Sequence, residues 1–425
     1  MVYENYHSMT NIYSLSISLR VMLPFALGYY LSYVFRTINS VIAPNLVTDV
    51  GLNASELGLL TGAYFLSFAI CQLPLGMFLD RVGPRKTEAA LLVIAAFGSL
   101  LFALSKSVSG LMLARALIGV GVSACLMASF KAFVDWFPKD KLPLANGLIL
   151  MAGGLGAMSS TTPVEAALQV TDWRGVFFNL AALGVVAAVV IYFVVPERPK
   201  DVKKSKDGSL KDQIRDMRLI LKEPIFYRYV PTCVLSSGTF LAIQTLWIGP
   251  WLRDVSGMNR SDVADALFVV AVAMTAGYML IGTATSQLNR RGYKTETVVI
   301  WGMIIFMLIQ IGLIAGVEFG VVLIWSMFAF FGTSSSVIYA AFSQRFEAHL
   351  VGRVSTMMNL LVFLCAFFMQ WAIGMIINLF PTTVEGGFAP AGYTAAYGVI
   401  LVLQITGLIW FWISQYILRT INTAE

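Results

Sequence analysis

Arg36 is the residue in this chain best placed to do chemistry. It lies in an apolar run, 16 residues after Arg20 and 13 before Asp49. At 1.5 Å per helical residue those intervals are about 24 Å and 20 Å. The guanidinium is therefore expected near the middle of a bilayer, too deep to reach water, where it must face a cavity or a partner. Its planar fork suits a carboxylate or phosphate held by two parallel hydrogen bonds. A structural ion pair is the competing reading. Lys131 lies about a turn and a half inside one membrane face. It is read as a second cation for an anionic substrate or a gate residue, or as a lysine snorkelling to headgroups. Glu165 precedes Asp172 by seven residues, about 10 Å inside the other face. There it could carry a proton, pair with Arg36, or sit in water at a helix end. Tyr33, Asn39, Gln244, Trp247, Tyr339, Asn359 and Gln370 are candidates for a substrate cavity, with helix–helix hydrogen bonding as the alternative for each.

The elements that must position these groups follow from composition. Of 425 residues, 58% are hydrophobic and 12% charged, and mean hydropathy is +0.77. A soluble domain carries roughly 25% charged residues to cover its surface. The chain therefore reads as an all-α polytopic membrane protein. Twelve spans are predicted, numbered 1 to 12 in chain order: 21–46, 56–79, 87–105, 110–135, 142–168, 175–195, 229–252, 262–288, 296–316, 320–344, 352–380 and 392–418. Each is about 20 residues or longer, enough for a hydrocarbon core of roughly 30 Å. Residues 1–20 form a leading segment without a cleavable signal, and 419–425 a tail. Residues 196–228 form a charged linker with an amphipathic stretch, LKDQIRDMRLILKEP. The linker parts a first six-helix bundle, 21–195, from a second, 229–418.

The charge of +6 does not point to nucleic acid, because the cations fall in short loops between apolar runs. Cys71, Cys125, Cys233 and Cys365 are scattered through the spans, which suits neither a disulfide frame nor a metal cluster. His7 and His349 are the two histidines, too few for a multi-histidine site. The sequence has no nucleotide-binding loop or nucleophile elbow. No enzyme activity and no cofactor are expected, and energy should come from an ion gradient.

One set of loops holds Arg81, Arg85, Lys86, Lys139, Lys141, Arg290, Arg291, Lys294, Arg345 and Arg353. The opposite set holds Lys106, Arg174, Arg253 and Arg260, offset by Asp49, Glu56, Asp172, Asp254, Asp262, Glu318 and Glu385. The positive-inside rule makes the first set and both termini cytoplasmic, in a cell inner (plasma) membrane. Between spans 2 and 3 the chain reads GMFLDRVGPRK, from Gly76 to Lys86. Displaced by 209 residues, Asp80-Arg81-Val82-Gly83 falls on Asn289-Arg290-Arg291-Gly292, and Arg85 falls on Lys294. Two parallel, pseudo-symmetric six-helix repeats are expected. Asp80, Arg81, Gly83 and Arg85, with Arg290 in the copy, are candidates for a conformational latch on the cytoplasmic side. Asn289 should weaken the second latch. Arg115 serves either coupling or packing.

GMFLDRVGPRK resembles the helix 2–3 signature of the major facilitator superfamily. Arg115-Ala-Leu-Ile-Gly119-Val-Gly121 resembles its RxxxGxG helix 4 signature, and Asp172-Trp173-Arg174 the segment before its helix 6. The resemblance implies a monomer in which two bundles rock about a central site, opening it alternately to each side. Phe35-Arg36-Thr37-Ile38-Asn39-Ser40 with Ala43-Pro44 resembles helix 1 of anion:cation symporters and organophosphate antiporters. That implies substrate-anion binding by Arg36. Lys131, before Trp136-Phe137-Pro138, stands where those symporters often carry a basic residue. Val122 stands where many of those symporters carry a glutamate tied to proton coupling, a departure from their pattern; Glu165, from its depth in the membrane, is the first candidate for the proton. The expected function is proton-coupled uptake of a small organic anion. An exporter of drugs or metabolites, or a transporter of a zwitterion such as an amino acid, are the alternatives.

Overall fold

The structure is a computed structural model that describes residues 15–197, 210–316, 320–343, 346, 350–383 and 386–422. Among these, ten helices are individually long and apolar enough to cross a bilayer, and a bent pair makes an eleventh. That pair is span 1, whose segments Ser18–Thr37 and Asn39–Val50 meet at 45°. Span 10 is built of two shorter pieces, Val321–Gly332 and Ser334–Ser343. The twelve predicted spans thus all have helical counterparts.

The breaks have local causes. Pro44 lacks the N–H that would bond the Ser40 carbonyl, and its ring crowds that carbonyl. Just upstream, Thr37 Oγ1 donates to the Tyr33 carbonyl (2.8 Å) and Ser40 Oγ to the Thr37 carbonyl (2.9 Å), bonds that bend helices. Span 5 stops at Ser159 and restarts as Thr162–Leu168, with Pro163 in the first turn of the new piece, where its missing donor costs nothing. Span 7 runs from Pro224–Ala242 through a π-helical turn, Ile243–Trp247, into Ile248–Asp254. Helix Leu210–Lys222 lies between spans 6 and 7 and buries Ile220 against the second half.

The acidic loops of one end double as helix caps. Asn53 and Glu56 form a capping box at the start of span 2, Ala54–Arg81. Asp172 caps span 6, Trp173–Val194, and Asn259 caps span 8, Arg260–Arg290. Each satisfies backbone donors that lipid could not. We call this the acidic end, and the end with Arg81 and Arg85 the basic end. At the basic end Gly83 has φ +92° and Gly292 φ +91°, a left-handed conformation that glycine adopts without strain. These residues coincide under the 209-residue displacement, so the sequence repeat is also a repeat of turn geometry.

Spans 1 to 6 pack into one bundle and spans 7 to 12 into another. The two meet where span 2 faces span 11 and span 5 faces span 8, pairs that interchange when six is added to or subtracted from each span number. Phe65 and Phe68 of span 2 contact Phe363 of span 11, at centroid distances of 5.8 and 4.3 Å. Toward the acidic end the backbones touch. A Cβ on Gly249 would collide with the Ser40 carbonyl oxygen that Pro44 leaves without its helical donor.

Candidate functional site

Arg36 occupies the last turn of the first segment of span 1. The C-terminal dipole of that segment compensates about half a charge. The side chain is 6% exposed, and its guanidinium carbon lies 4.6 Å from the Tyr33 ring centre, 5.6 Å from Phe68 and 5.4 Å from Phe363. Its Nε donates a long hydrogen bond, 3.5 Å, to the Tyr64 hydroxyl. Among the described residues no carboxylate pairs with it. Stacking on three π-faces, at about 0.5–2 kcal/mol per ring, offsets part of the several kcal/mol needed to desolvate an ion but supplies no counter-charge. The box is therefore electrically unfinished, and both bundles build it: Tyr33, Tyr64 and Phe68 from the first, Phe363 from the second.

A second buried cation stands behind the box. Arg115 is fully buried, donates from Nη1 to the Phe35 carbonyl (2.8 Å), and lies 5.2 Å over the Tyr64 ring. It holds the segment that carries Arg36 while adding positive potential. The Tyr29 ring packs edge-on against Tyr33 at 5.2 Å, and Tyr278 of span 8 is near enough to interact electrostatically with Tyr33 and Arg36, which brings span 8 to the same place.

The other candidates are spread over the molecule. Asn39 is fully buried and donates to Thr61 Oγ1 (2.8 Å), within the first bundle. Gln370 donates to Thr245 Oγ1 (3.3 Å), and Trp247 Nε1 to the Gln370 carbonyl (3.2 Å), tying span 11 to the π-turn of span 7. Gln244 is buried in that turn, and Asn359 is half-buried in span 11, Val351–Ile377. The Tyr339 side chain lies outside the described residues. Lys131 Nζ bonds Asp80 Oδ1 at 2.9 Å within the first bundle. Arg85 donates to the Val195 carbonyl (3.0 Å) and pairs with Glu197 (3.4 Å), fastening the start of span 3 to the end of span 6. Arg81 and Arg290 are exposed at the basic end.

Glu165 is engaged at the acidic end. Its Oε2 accepts from Arg260 Nε at 2.7 Å, and Arg260 Nη2 also donates to Asn45 Oδ1 at 2.8 Å. Asn45 lies nine residues beyond Arg36, about 13 Å along the helix, so Glu165 has a partner other than Arg36. Thr162 Oγ1 reaches Asp265 Oδ1 (2.9 Å) and the Ala264 carbonyl (3.3 Å). These four hydrogen bonds join the bundles at the acidic end. Sequence reasoning missed Phe68, Phe363, Tyr278 and Arg260 as parts of these constellations. Their only signal was membership of apolar runs or of a loop.

Relatives carry related descriptions. The D-galactonate transporter of Escherichia coli O6:H1 is 23% identical over 404 residues, covering 88% of this chain and 91% of that one. The probable sulfoacetate transporter SauU of Cupriavidus necator is 23% identical, covering 62% of this chain and 64% of its own. Among solved structures, an inward-facing, unoccupied bacterial homologue of the human lysosomal transporter Spinster superposes with TM-score 0.77 at 17% identity, covering 94% of this chain and 97% of that one. The Major Facilitator Superfamily model matches residues 25–364. Twelve spans, their repeat, the paired bundles and this match together place the chain in the Major Facilitator Superfamily, as a membrane transporter and not an enzyme.

Proposed function

We propose that this transporter is a proton-coupled importer of a small organic anion, and that Arg36 binds the anionic group. The observation that carries the reading is the aromatic box around Arg36: a cation near mid-span, 6% exposed, with no acidic partner among the described residues. An incoming carboxylate or sulfonate would complete the charge and accept the guanidinium fork. Hydroxyls of Tyr33, Tyr64 and Tyr278 around the box suit a hydroxylated acid. The names of the relatives, D-galactonate and sulfoacetate transporters, agree in class. Engagement of Glu165 by Arg260 favours an anion over a zwitterion, because the amine of an amino acid would lack that carboxylate beside Arg36.

In this reading the basic end is cytoplasmic, as are both termini, and the protein sits in the inner membrane. The Glu165–Arg260–Asn45 contact is then the external gate, shut in a cytoplasm-facing state. Residues 21–195 and 229–418 act as the two rocking bundles, joined by the 196–228 linker. The test is a thermal-shift screen of purified protein against organic anions, amino acids and lipophilic cations. A ligand at a hundred times its Kd stabilises by about 2.7 kcal/mol. Hits confined to carboxylates and sulfonates, and lost in Arg36→Ala, support the reading. Hits among lipophilic cations that survive Arg36→Ala refute it.

A further inference from the structure

Glu88 is a carboxyl group that the anion site does not use. It lies one turn inside span 3, Pro84–Leu104, and is fully buried. Neither of its oxygens has a partner at hydrogen-bond geometry. The groups facing it are Gly28 of span 1, Ile191 of span 6 and the Cys125 thiol of span 4. A Cβ on Gly28 would meet a Glu88 carboxylate oxygen, so the carboxyl packs directly against the span 1 backbone. Among the described residues, no cation of spans 1, 2, 4 or 6 pairs with Glu88. A structural acid in a membrane interior is expected to have a cation or several donors; an acid with neither marks a functional site.

A cavity open to the basic end lies one helical turn away from it. It encloses about 240 Å³ and is lined by Pro84, Ala132 and Val195, with Arg81, Arg85 and Glu197 at its mouth. Residues four apart share a helix face. Pro84 therefore lies one turn above Glu88, and Val195 one turn above Ile191. Ala132 stands two turns above Cys125 on span 4. The cavity floor and the Glu88 chamber are successive layers of the same three helices. On the other side, Gly28, against which Glu88 packs, lies eight residues before Arg36 on the same helical segment, about 12 Å along the axis, so the charge state of Glu88 is expected to register at the anion box.

We propose that Glu88 is the proton-carrying residue. With the transporter open at the acidic end its carboxylate takes a proton from external water, and with the transporter open at the basic end the carboxyl releases that proton to cytoplasmic water through the basic-end cavity, leaving a carboxylate. Neutral Glu88 leaves the full positive charge of Arg36 to an anion. Charged Glu88 competes with it, so proton and anion travel together. This rests on the anion reading above.

The test compares wild-type protein and Glu88→Gln in proteoliposomes supplied with radiolabelled D-galactonate. For one proton per substrate, an inward gradient of about two pH units supports about hundredfold accumulation. The proposal expects wild-type protein to concentrate the anion, and Glu88→Gln to equilibrate it only, with exchange of external for internal anion retained. Glu88→Gln concentrating the anion as wild type does would overturn it. If wild-type protein does not take up galactonate, a hydrophobic carbodiimide decides, because it adds to a protonated carboxyl without needing substrate. Modification of Glu88 that falls as pH rises supports the proposal. A Glu88 left unmodified across the pH range, in folded protein, overturns it. Failure of the anion reading is separate: exchange would then be missing in both proteins, or indifferent to Arg36.

Discussion

Replacing Arg36 with lysine keeps the charge and removes the fork, so it separates recognition of an anion from mere neutralisation of the cavity. In the structure the guanidinium sits 4.6–5.6 Å from three ring centres, which holds its plane ready for two parallel bonds. An ammonium offers one strong contact in that geometry. Losing one charge-assisted hydrogen bond costs about 1.5–3 kcal/mol, which raises Kd about ten- to 150-fold. Arg36→Ala removes the charge as well, and the loss grows to about 3–5 kcal/mol, or roughly 150- to 4,000-fold. Isothermal titration of the anion found in the thermal-shift screen measures both values. The melting temperature without ligand checks that each variant is folded. A Kd for Arg36→Lys within about threefold of wild type, a factor worth under 1 kcal/mol, would refute the fork geometry and reduce Arg36 to a source of positive potential.

Three further outcomes follow from the contacts between and within the bundles. Glu165→Gln should loosen the acidic end. Because Arg260 is 41% exposed, the pair is worth only about 1 kcal/mol after screening, a fivefold shift toward the state open at that end. It would be read as faster labelling of a Val41→Cys probe, and unchanged labelling would dismiss the gate. Gly249→Ala should act in the same direction and more strongly, since its Cβ meets the rigid Ser40 carbonyl. Transport should fall at least about tenfold, equivalent to 1.4 kcal/mol, and wild-type rates would show that this contact is not closed during the cycle. Asp80→Asn breaks a bond to Lys131 that lies within one bundle, between side chains 22% and 30% exposed. A double-mutant cycle with Lys131→Gln should give a coupling of about 0.5–1 kcal/mol, and a coupling of several kcal/mol would mean that the pair is part of a larger lock.

The class of this protein, its twelve spans and its repeat were legible in the sequence because they are local properties. Hydropathy over about 20 residues decides whether a segment enters lipid. Gly83 and Gly292 advertise the same turn twice. Counting along one helix was enough to put Arg36 at mid-depth, and its motif was enough to suggest the family. The assignments that depend on which helix faces which were not legible. Phe363 completes the Arg36 box from the far bundle, though nothing in its apolar run distinguishes it from Phe367 or Phe368. Arg260 looks like any loop cation until span 8 is placed against span 5, where it takes Glu165 and leaves Arg36 without that carboxylate. Glu88 is only the second residue of the predicted span 3, 87–105, where the sequence does not distinguish a buried acid from one at the interface. Only the rotation of span 3 against spans 1, 4 and 6 seals it from water. Side-chain pairing across bundles is set by helix rotation and docking, which arise from packing over the whole molecule and leave no periodic trace in the chain.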